Sequence, residues 1–524
     1  MVVSGSPIAS DVGRDILRRG GNAVDAAVAV GFALAVVHPE AGNIGGGGFM
    51  VIRLLDGTVR SLDYRETAPS GASRDMYLGA DGQPTERSLT GHLAAGVPGA
   101  VAGMVEAHAR LGRLPFATLI EPAIRLAREG FTVDSYRSSS IEENSARLAL
   151  FPASRASFLP GGRPPAPGST LRQPDLAATL EAIRDSGAAG FYRGRVADLV
   201  VAEMARGGGL ITREDLSRYA AIWREPVRIS YRGHTIYSMP PASSGGVTMG
   251  EILNIMEGYA PLPPFGTPAL LHREAEAMRR AFTDRNTFLG DPAFVKNPLD
   301  RLLSKEYAAE LRSAIGERAT PTPAFEPASQ GGASTTHYSV VDAEGNAVSC
   351  TTTLNDSYGS AVTVTGGGFL LNDEMDDFAT VPGKPNMYGL VQGEANAIAP
   401  GKRMLSAMTP SIVVDSSNSL YMIVGTPGGP RIITMVYHVI SNVLDHHMTL
   451  ADAVDAPRMH HQALPDTIRV EATGFPEATL DSLRARGHGV SSGGRWGDIE
   501  AIIRTGTGWQ GVSDGRRGGG GSGY

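Results

Sequence analysis

Apolar and polar residues follow two periods along this chain. From Ser6 to Arg19 the apolar positions recur at helical spacing, and the run closes on Gly20-Gly21, a helix-stop signal. Asn22 is placed to cap a second helix over 22–37, whose apolar residues run nearly all round it, as in a helix buried in a core. Helical patterns recur at 94–111, 119–129, 176–186, 196–206, 247–256, 269–288 and 432–444. Alternation of period two predicts strands at 49–55 and 59–64 around Asp56-Gly57, at 228–239 around Arg232-Gly233, and at 420–424. The same alternation predicts a hairpin with strands 336–342 and 347–354, turned by Ala343-Glu344-Gly345-Asn346. Pairing Asp342 with Ala347 sets Thr353 opposite Thr336, beside Thr335. Taken alone, the strand propensity of threonine accounts for this pattern.

Between these elements the pattern breaks. Residues 150–175 read as an exposed loop, 316–334 as the clearest linker, and 518–521 as a low-complexity tail. The stretch 381–393, with Pro382, Pro385 and Gly393, is long for a connection inside a compact domain, and such loops are often lids. No internal repeat is present.

Composition narrows the picture. A chain of 524 residues with 42% hydrophobic and 19% charged residues belongs with soluble globular proteins. A net charge of −7 without a Lys/Arg run speaks against nucleic-acid binding. The single cysteine, Cys350, rules out an intramolecular disulfide or cysteine-rich metal site and reads as a buried small side chain. The start Met1-Val2-Val3-Ser4-Gly5 lacks the pattern of a signal peptide, and the apolar stretch 22–37 is short for a membrane span and carries Asp25. Low cysteine content suits the cytoplasm and is compatible with the periplasm or the medium.

Several stretches offer chemistry. The glycine run 42–48 lacks the Lys-Ser/Thr of a phosphate loop and runs from helix to strand, so close chain packing is its better reading. Asp373, Glu374, Asp376 and Asp377 lack the glycine and distal glutamate of a calcium loop. The pairs His446-His447 and His460-His461 are adjacent rather than four apart, so they read as solvated or capping histidines, and no metal or cofactor is expected. Arg65 ends a strand, where its planar fork suits a carboxylate; on local evidence alone a surface arginine paired with Glu66 is the favoured reading. The turn from Gly425 to Arg431 joins a strand to a helix, and its N–H groups suit an oxyanion hole. If the bond from Ser334 to Thr335 is cut, Thr335 gains an α-amine with a pKa of about 7.7–8.0. One residue then holds both nucleophile and general base. Its hydroxyl can make the cut itself, by N-to-O acyl shift and hydrolysis of the ester, where the small residues 331–334 tolerate the strained backbone.

These stretches carry a resemblance. The run Thr335-Thr336-His337-Tyr338-Ser339-Val340-Val341-Asp342 resembles the start of the small subunit of bacterial γ-glutamyltranspeptidases, self-cleaving N-terminal-nucleophile hydrolases. The likeness extends over nearly the whole chain, through Gly20 to Ala27, Gly45 to Met50, Arg65-Glu66, Ser88 to Leu93, Ser238 to Pro241, Leu371 to Phe378, Pro427-Gly428-Gly429 and Gly523-Tyr524. It implies an α+β fold, a four-layer αββα sandwich, and a precursor that splits into a large subunit 1–334 and a small subunit 335–524, which together form a heterodimer on one core. Carried onto matching positions, Thr335 is the nucleophile, Thr353 its hydroxyl partner, and Gly428 and Gly429 the oxyanion donors. Arg65 and Ser406 take the substrate α-carboxylate; Asn355, Glu374 and Asp377 take its α-ammonium; Tyr388 sits in the lid. The implied substrates are glutathione and other γ-glutamyl compounds, with water or an acceptor amino acid or dipeptide receiving the glutamyl group, and the implied location is the periplasm or the medium.

Two departures stand out. Ala407 occupies the place of a second serine after Ser406, which removes one hydroxyl from the carboxylate site. Met1 also falls inside the family's N-terminal pattern, so the chain is expected to be trimmed or started late. The competing expectations are a glutaryl-type β-lactam acylase on the same fold and an unprocessed, inactive binding protein. Glu374 and Asp377 favour a glutamyl substrate over a glutaryl one, which lacks the ammonium. Intact Thr335, Thr353 and Gly428-Gly429 speak against the inactive protein.

Overall fold

The computed structural model describes residues 1–321, 334–506 and 508–524, and of Ser334 the backbone. The small-residue run 331–333 therefore lies outside the described residues, as does most of the 316–334 linker. The first two helices, Pro7–Arg18 and Ala23–Val37, follow the apolar pattern closely. Asn22 caps the second: its side chain accepts from Asp25 N at 2.9 Å, and the Asp25 carboxylate accepts from Asn22 N at 3.0 Å. Every residue of that helix is buried.

Three expectations are corrected at this level. The helix expected over 94–111 begins only at Ala100, because Pro98-Gly99 precedes it and its first N–H groups, on Gly99 and Ala100, donate to the Gly46 carbonyl. The expected loop 150–175 holds a helix, Pro152–Phe158, which buries Phe158 and Leu159 against Tyr358. The glycine tail is a strand, Gly520–Ser522, paired with Val2–Ser4 through backbone alone, which needs no side-chain pattern.

Two antiparallel sheets lie face to face. The larger runs in the order Gly520–Ser522, Val2–Ser4, Ser334–Val341, Ala347–Asn355, Gly47–Arg53, Val59–Tyr64 and Ile222–Arg224. The smaller runs Gly508–Ser513, Glu500–Thr505, Leu420–Gly425, Ser411–Val414, His234–Ser238 and Val227–Tyr231. Alternate residues of one strand serve different layers: Met50 and Ile52 pack with the helices Ala23–Val37 and Phe116–Glu129, whereas Phe49 and Val51 pack toward the second sheet. Strands buried on both faces need apolar residues on both, so their alternation is blurred. The inner faces meet through polar links as well: Ser349 Oγ donates to the Val424 carbonyl at 3.2 Å and Ser339 Oγ to the Glu500 carbonyl at 2.8 Å. The helices Gly245–Glu257, Pro268–Phe288 and Arg431–Leu444 cover the far side of the smaller sheet. The result is the αββα sandwich. Both sheets take strands from before and after position 334, so neither portion owns a sheet.

The central hairpin is shifted by one residue from its expected register. Val341, not Asp342, pairs with Ala347, and Thr353 pairs with Thr335 rather than Thr336. Asp342 is drawn into the turn because its carboxylate accepts from the N–H groups of Glu344 and Asn346, each at 2.9 Å. Asp342 thereby adds a fifth residue to the turn.

Between the sheets, Gly425 lies against the His337 ring; a methyl group at Gly425 would sit 2.7 Å from His337 Nε2 and closer still to Cε1 and Nδ1. The variant Gly425→Ala is expected to lose about 1–3 kcal/mol of stability by overpacking, read as a lower urea midpoint at unchanged slope. An unchanged midpoint would show that the two layers separate freely there.

Candidate active site

The register of the central hairpin brings two hydroxyls together. Thr335 Oγ1 donates to Thr353 Oγ1 at 3.3 Å, and Thr353 Oγ1 also accepts from Asn355 N at 2.8 Å. A bulge between Thr353 and Asn355 ends the regular pairing, and Asn355 takes a positive φ of 83°. The neighbouring glycine strand fixes Thr353 from the other side. Gly46 lies so near the Thr353 carbonyl that a Cβ there has no room. Asn43 Nδ2 donates to that same carbonyl at 2.9 Å while its Oδ1 accepts from Gly46 N at 2.8 Å. Glycine for close chain packing is thus what the 42–48 run supplies at this point.

The nearby groups that might act as base or nucleophile are silent. His337, on the second strand face, bonds Thr351 Oγ1 at 2.9 Å and Ser339 Oγ at 3.1 Å, and burial pulls its pKa down to about 3, so it is neutral. Cys350 is buried against the Tyr64 hydroxyl at 3.0 Å, and burial pushes its thiol up to about 12.

A small cavity opens on Thr335 and Thr353. One wall is the turn after the strand Leu420–Gly425. Gly428 and Gly429 there have φ of 146° and 58°, and neither N–H has a partner among the described residues. Gly429 lines the cavity, and Gly428 precedes it in the turn. A pair of unspent N–H groups facing a hydroxyl is what an oxyanion requires.

The opposite wall is ionic. Arg65 is fully buried, which corrects its reading as a surface arginine. Its Nη1 meets Glu374 Oε2 at 2.5 Å, its Nη2 meets Asp377, and its Nε donates to the Met404 carbonyl at 3.2 Å. Glu66 lies 3.5 Å from Nη1. Three carboxylates thus surround one guanidinium away from water. Burial raises Glu66 to about 7 against the pull of Arg65, and it raises Glu374 and Asp377 as well. Asn355 and Ser406 complete the polar lining. Ser406 Oγ accepts from Met408 N at 3.1 Å, and its own proton has no acceptor among the described residues. Ala407 lines the cavity beside it and offers no hydroxyl.

The loop 381–393 closes this space. It is self-braced, Gly383 N donating to the Gln392 carbonyl at 3.0 Å and Asn386 N to the Leu390 carbonyl at 3.1 Å. The Tyr388 hydroxyl reaches Asn355 Oδ1 at 2.7 Å and the Asn355 carbonyl at 3.0 Å. Met387 N donates to Asp376 Oδ2 at 3.1 Å. Burial raises Asp376 to about 6.

The structure therefore gathers Thr335, Thr353, Asn355, Glu374, Asp377, Arg65, Ser406, Tyr388 and Gly429 around one cavity. The histidine pairs are elsewhere. His460 and His461 are buried rather than solvated, bonded to Thr434, Gln462 and Asp466, because they fall on a short strand under the helix Arg431–Leu444. No group of three or more metal-binding side chains occurs among the described residues. Two contributors escaped the sequence reading, Asn43 and Arg285. Arg285 had a signal: it continues the buried stripe Leu271, Ala275, Met278, Phe282 along the helix Pro268–Phe288, where an arginine is out of place.

The family model for gamma-glutamyltranspeptidase matches residues 9–524. The "Glutathione hydrolase proenzyme" of Pseudomonas sp. (strain A14) is 49% identical over 514 residues, covering 96% of this chain and 88% of the relative. The "Acylase ACY 1 proenzyme" of Pseudomonas sp. (strain V22) is 41% identical, covering 94% of this chain and 87% of the relative. Among solved structures, the cephalosporin acylase from Bacillus halodurans superposes with a TM-score of 0.87 at 29% identity, covering 100% of this chain and 95% of its own.

Glu66 supplies a pH test of the ionic wall. Its carboxyl sits at about 7 in the fold against an ordinary value of 4.5, so the folded chain binds the extra proton between these limits. Its contribution to stability is present below that window and is lost as pH rises through it. The stability of Glu66→Gln relative to the parent, from urea midpoints, is expected to rise between those two pH values; a flat difference would mean that Glu66 is ionised throughout.

Proposed function

The chain belongs to the gamma-glutamyltranspeptidase family, and from that premise we propose that it cuts itself before Thr335 and then cleaves the γ-glutamyl bond of glutathione and related amides. The observation that carries this reading is the single cavity lined by the Thr335–Thr353 hydroxyl pair, by Gly429 of the turn whose N–H groups are unspent, and by Arg65, Glu374 and Asp377.

The chemistry follows from those positions. Self-cleavage begins when Thr335 Oγ1 attacks the Ser334 carbonyl; the C–N bond breaks, which frees the α-amine of Thr335 and leaves an ester, and water hydrolyses that ester to the acid of residue 334 and the Thr335 hydroxyl. The freed amine then takes the proton from Thr335 Oγ1 as the oxygen attacks the γ-carbonyl of the substrate. The negative oxygen of the tetrahedral intermediate is held by the Gly428 and Gly429 N–H groups. Collapse expels the amine of the leaving group with that proton and leaves a γ-glutamyl ester on Thr335. Water or the amine of an acceptor amino acid or dipeptide attacks the ester and restores the hydroxyl. Thr353 aligns Thr335 in both stages.

The ionic wall suits a zwitterion. A glutamyl head group brings one ammonium and one carboxylate, so it can enter the Arg65–Glu374–Asp377 cluster without a change of net charge, ammonium toward Glu374, Asp377 and Asn355 and carboxylate toward Arg65 and Ser406. A glutaryl group brings only the carboxylate and leaves those buried acids unanswered, which favours glutamyl over the acylase reading. The mature protein is then a heterodimer of 1–334 and 335–524, held together because both sheets mix strands from each portion. Export to the periplasm or the medium belongs to the proposal on family grounds alone.

Mass spectrometry of the purified protein is expected to find two chains, the smaller beginning at Thr335, with release of p-nitroaniline from γ-glutamyl-p-nitroanilide that increases on adding glycylglycine. Thr335→Ala is expected to leave one uncut, inactive chain, and activity surviving in it would sink the mechanism. Ala407→Ser is expected to lower KM for the anilide roughly tenfold, the worth of about 1.5 kcal/mol for one hydrogen bond to a charged group. An unchanged KM would show that position 407 does not meet the carboxylate.

A further inference from the structure

The cavity holds two guanidinium groups in different states. Arg65 spends Nη1 on Glu374, Nη2 on Asp377 and Nε on the Met404 carbonyl. Arg285, on the helix Pro268–Phe288, is 1% exposed and lines the same cavity. Its Nε donates to Ser244 Oγ at 2.8 Å, and its Nη1 donates to Asn286 Oδ1 at 2.8 Å and reaches Gln392 Oε1 at 3.5 Å. Its Nη2 has no hydrogen-bond partner, and no carboxylate forms an ion pair with it, among the described residues. Burial lowers its pKa to about 10, which leaves it charged at neutral pH. A buried cation without a paired anion is costly to keep, and the cost is recovered when an anion arrives.

The group is also held in place. Ser244, which accepts from Arg285, donates its own hydroxyl to the Ser406 carbonyl at 2.6 Å and its N–H to the same oxygen at 2.8 Å. Arg285 is thus tied to the segment Ser406-Ala407, where one hydroxyl of the expected carboxylate site is missing. On its far side Gln392 joins it to the lid, and Gln392 Nε2 donates to the Asp377 carbonyl at 3.0 Å.

We propose that Arg285 binds the α-carboxylate of the γ-glutamyl group through its open Nη2 edge and is a specificity-determining residue of this site. Arg65 then keeps the acids Glu374 and Asp377 in place for the ammonium, and the substrate carboxylate lands between the two guanidinium groups. The inference rests on the γ-glutamyl reading above and adds to it a residue outside the expected set. Nη2 presents its N–H donors from a plane fixed by the bonds at Nε and Nη1, an arrangement that the flexible ammonium of lysine does not copy.

The test uses the full chain with Arg285→Gln and Arg285→Lys, each checked for cleavage on a denaturing gel. With γ-glutamyl-p-nitroanilide, KM is expected to rise about thirtyfold in Arg285→Gln and about tenfold in Arg285→Lys, with kcat within about threefold of the parent. The inhibition constant of L-glutamate should rise in step, while that of 4-aminobutyrate, which has the ammonium but no α-carboxylate, should stay put. If Arg285→Gln fails to be cut, Arg285→Lys alone is read. A KM and glutamate constant within about twofold of the parent would overturn the assignment, and so would equal weakening of glutamate and 4-aminobutyrate, which marks a structural role. A parent protein that does not turn over the anilide overturns the γ-glutamyl reading itself, before any variant is compared.

Discussion

The pairing of Thr335 with Thr353 in the middle of the larger sheet is the constraint around which the site is assembled. A hydroxyl on a strand end is ordinarily mobile. Here it is placed by a register that cannot slip: Asp342 closes the turn on one end, and on the other Asn43 and the glycine strand Gly47–Arg53 press against the Thr353 carbonyl and its neighbours. Slippage by one residue would turn every side chain of the strand to the other face. The bulge after Thr353 shifts the register at Asn355, the last residue of the strand, which bonds the lid's Tyr388, so one irregularity sits at the strand end and at the lid's anchor.

The second organising element is charge without water. Glu66, Glu374, Asp377, Arg65 and Arg285 are gathered beside the hydroxyl pair, and burial shifts the carboxyls upward. Such a cluster is a poor source of stability, since desolvation takes back much of the attraction. Its value lies in discrimination. A ligand with one positive and one negative group can replace internal contacts pair for pair, whereas a ligand with one charge leaves a partner stranded. The lid matters for the same reason, because excluding water strengthens each of these interactions.

The interleaved sheets explain how a chain of this kind tolerates a cut. Both sheets contain strands from before and after position 334, so severing one peptide bond leaves the portions joined through both sheets. The core that holds the portions together is apolar on the outer faces of both sheets and between them, where serine hydroxyls add polar links.

Periodicity in the sequence was enough for the main helices, the outer hairpins and the presence of the central one, because a buried stripe or an alternating strand leaves its mark residue by residue. The motifs around Thr335, Arg65, the acidic run and the 427–429 turn were also legible, since they are local and their chemistry is particular. The misread parts had no local mark. The glycine strand Gly520–Ser522 pairs by backbone alone; Asp342 was read as strand although its carboxylate belongs to the turn; the helix at Ala100 waits for a carbonyl, that of Gly46, from a distant strand. Only the tertiary structure decided that Arg65 is spent on two acids while Arg285 is left open, and that His460 and His461 are core rather than surface. Burial and the identity of a charged group's partner are properties of segments hundreds of residues apart, brought together by packing, and no spacing along the chain encodes them.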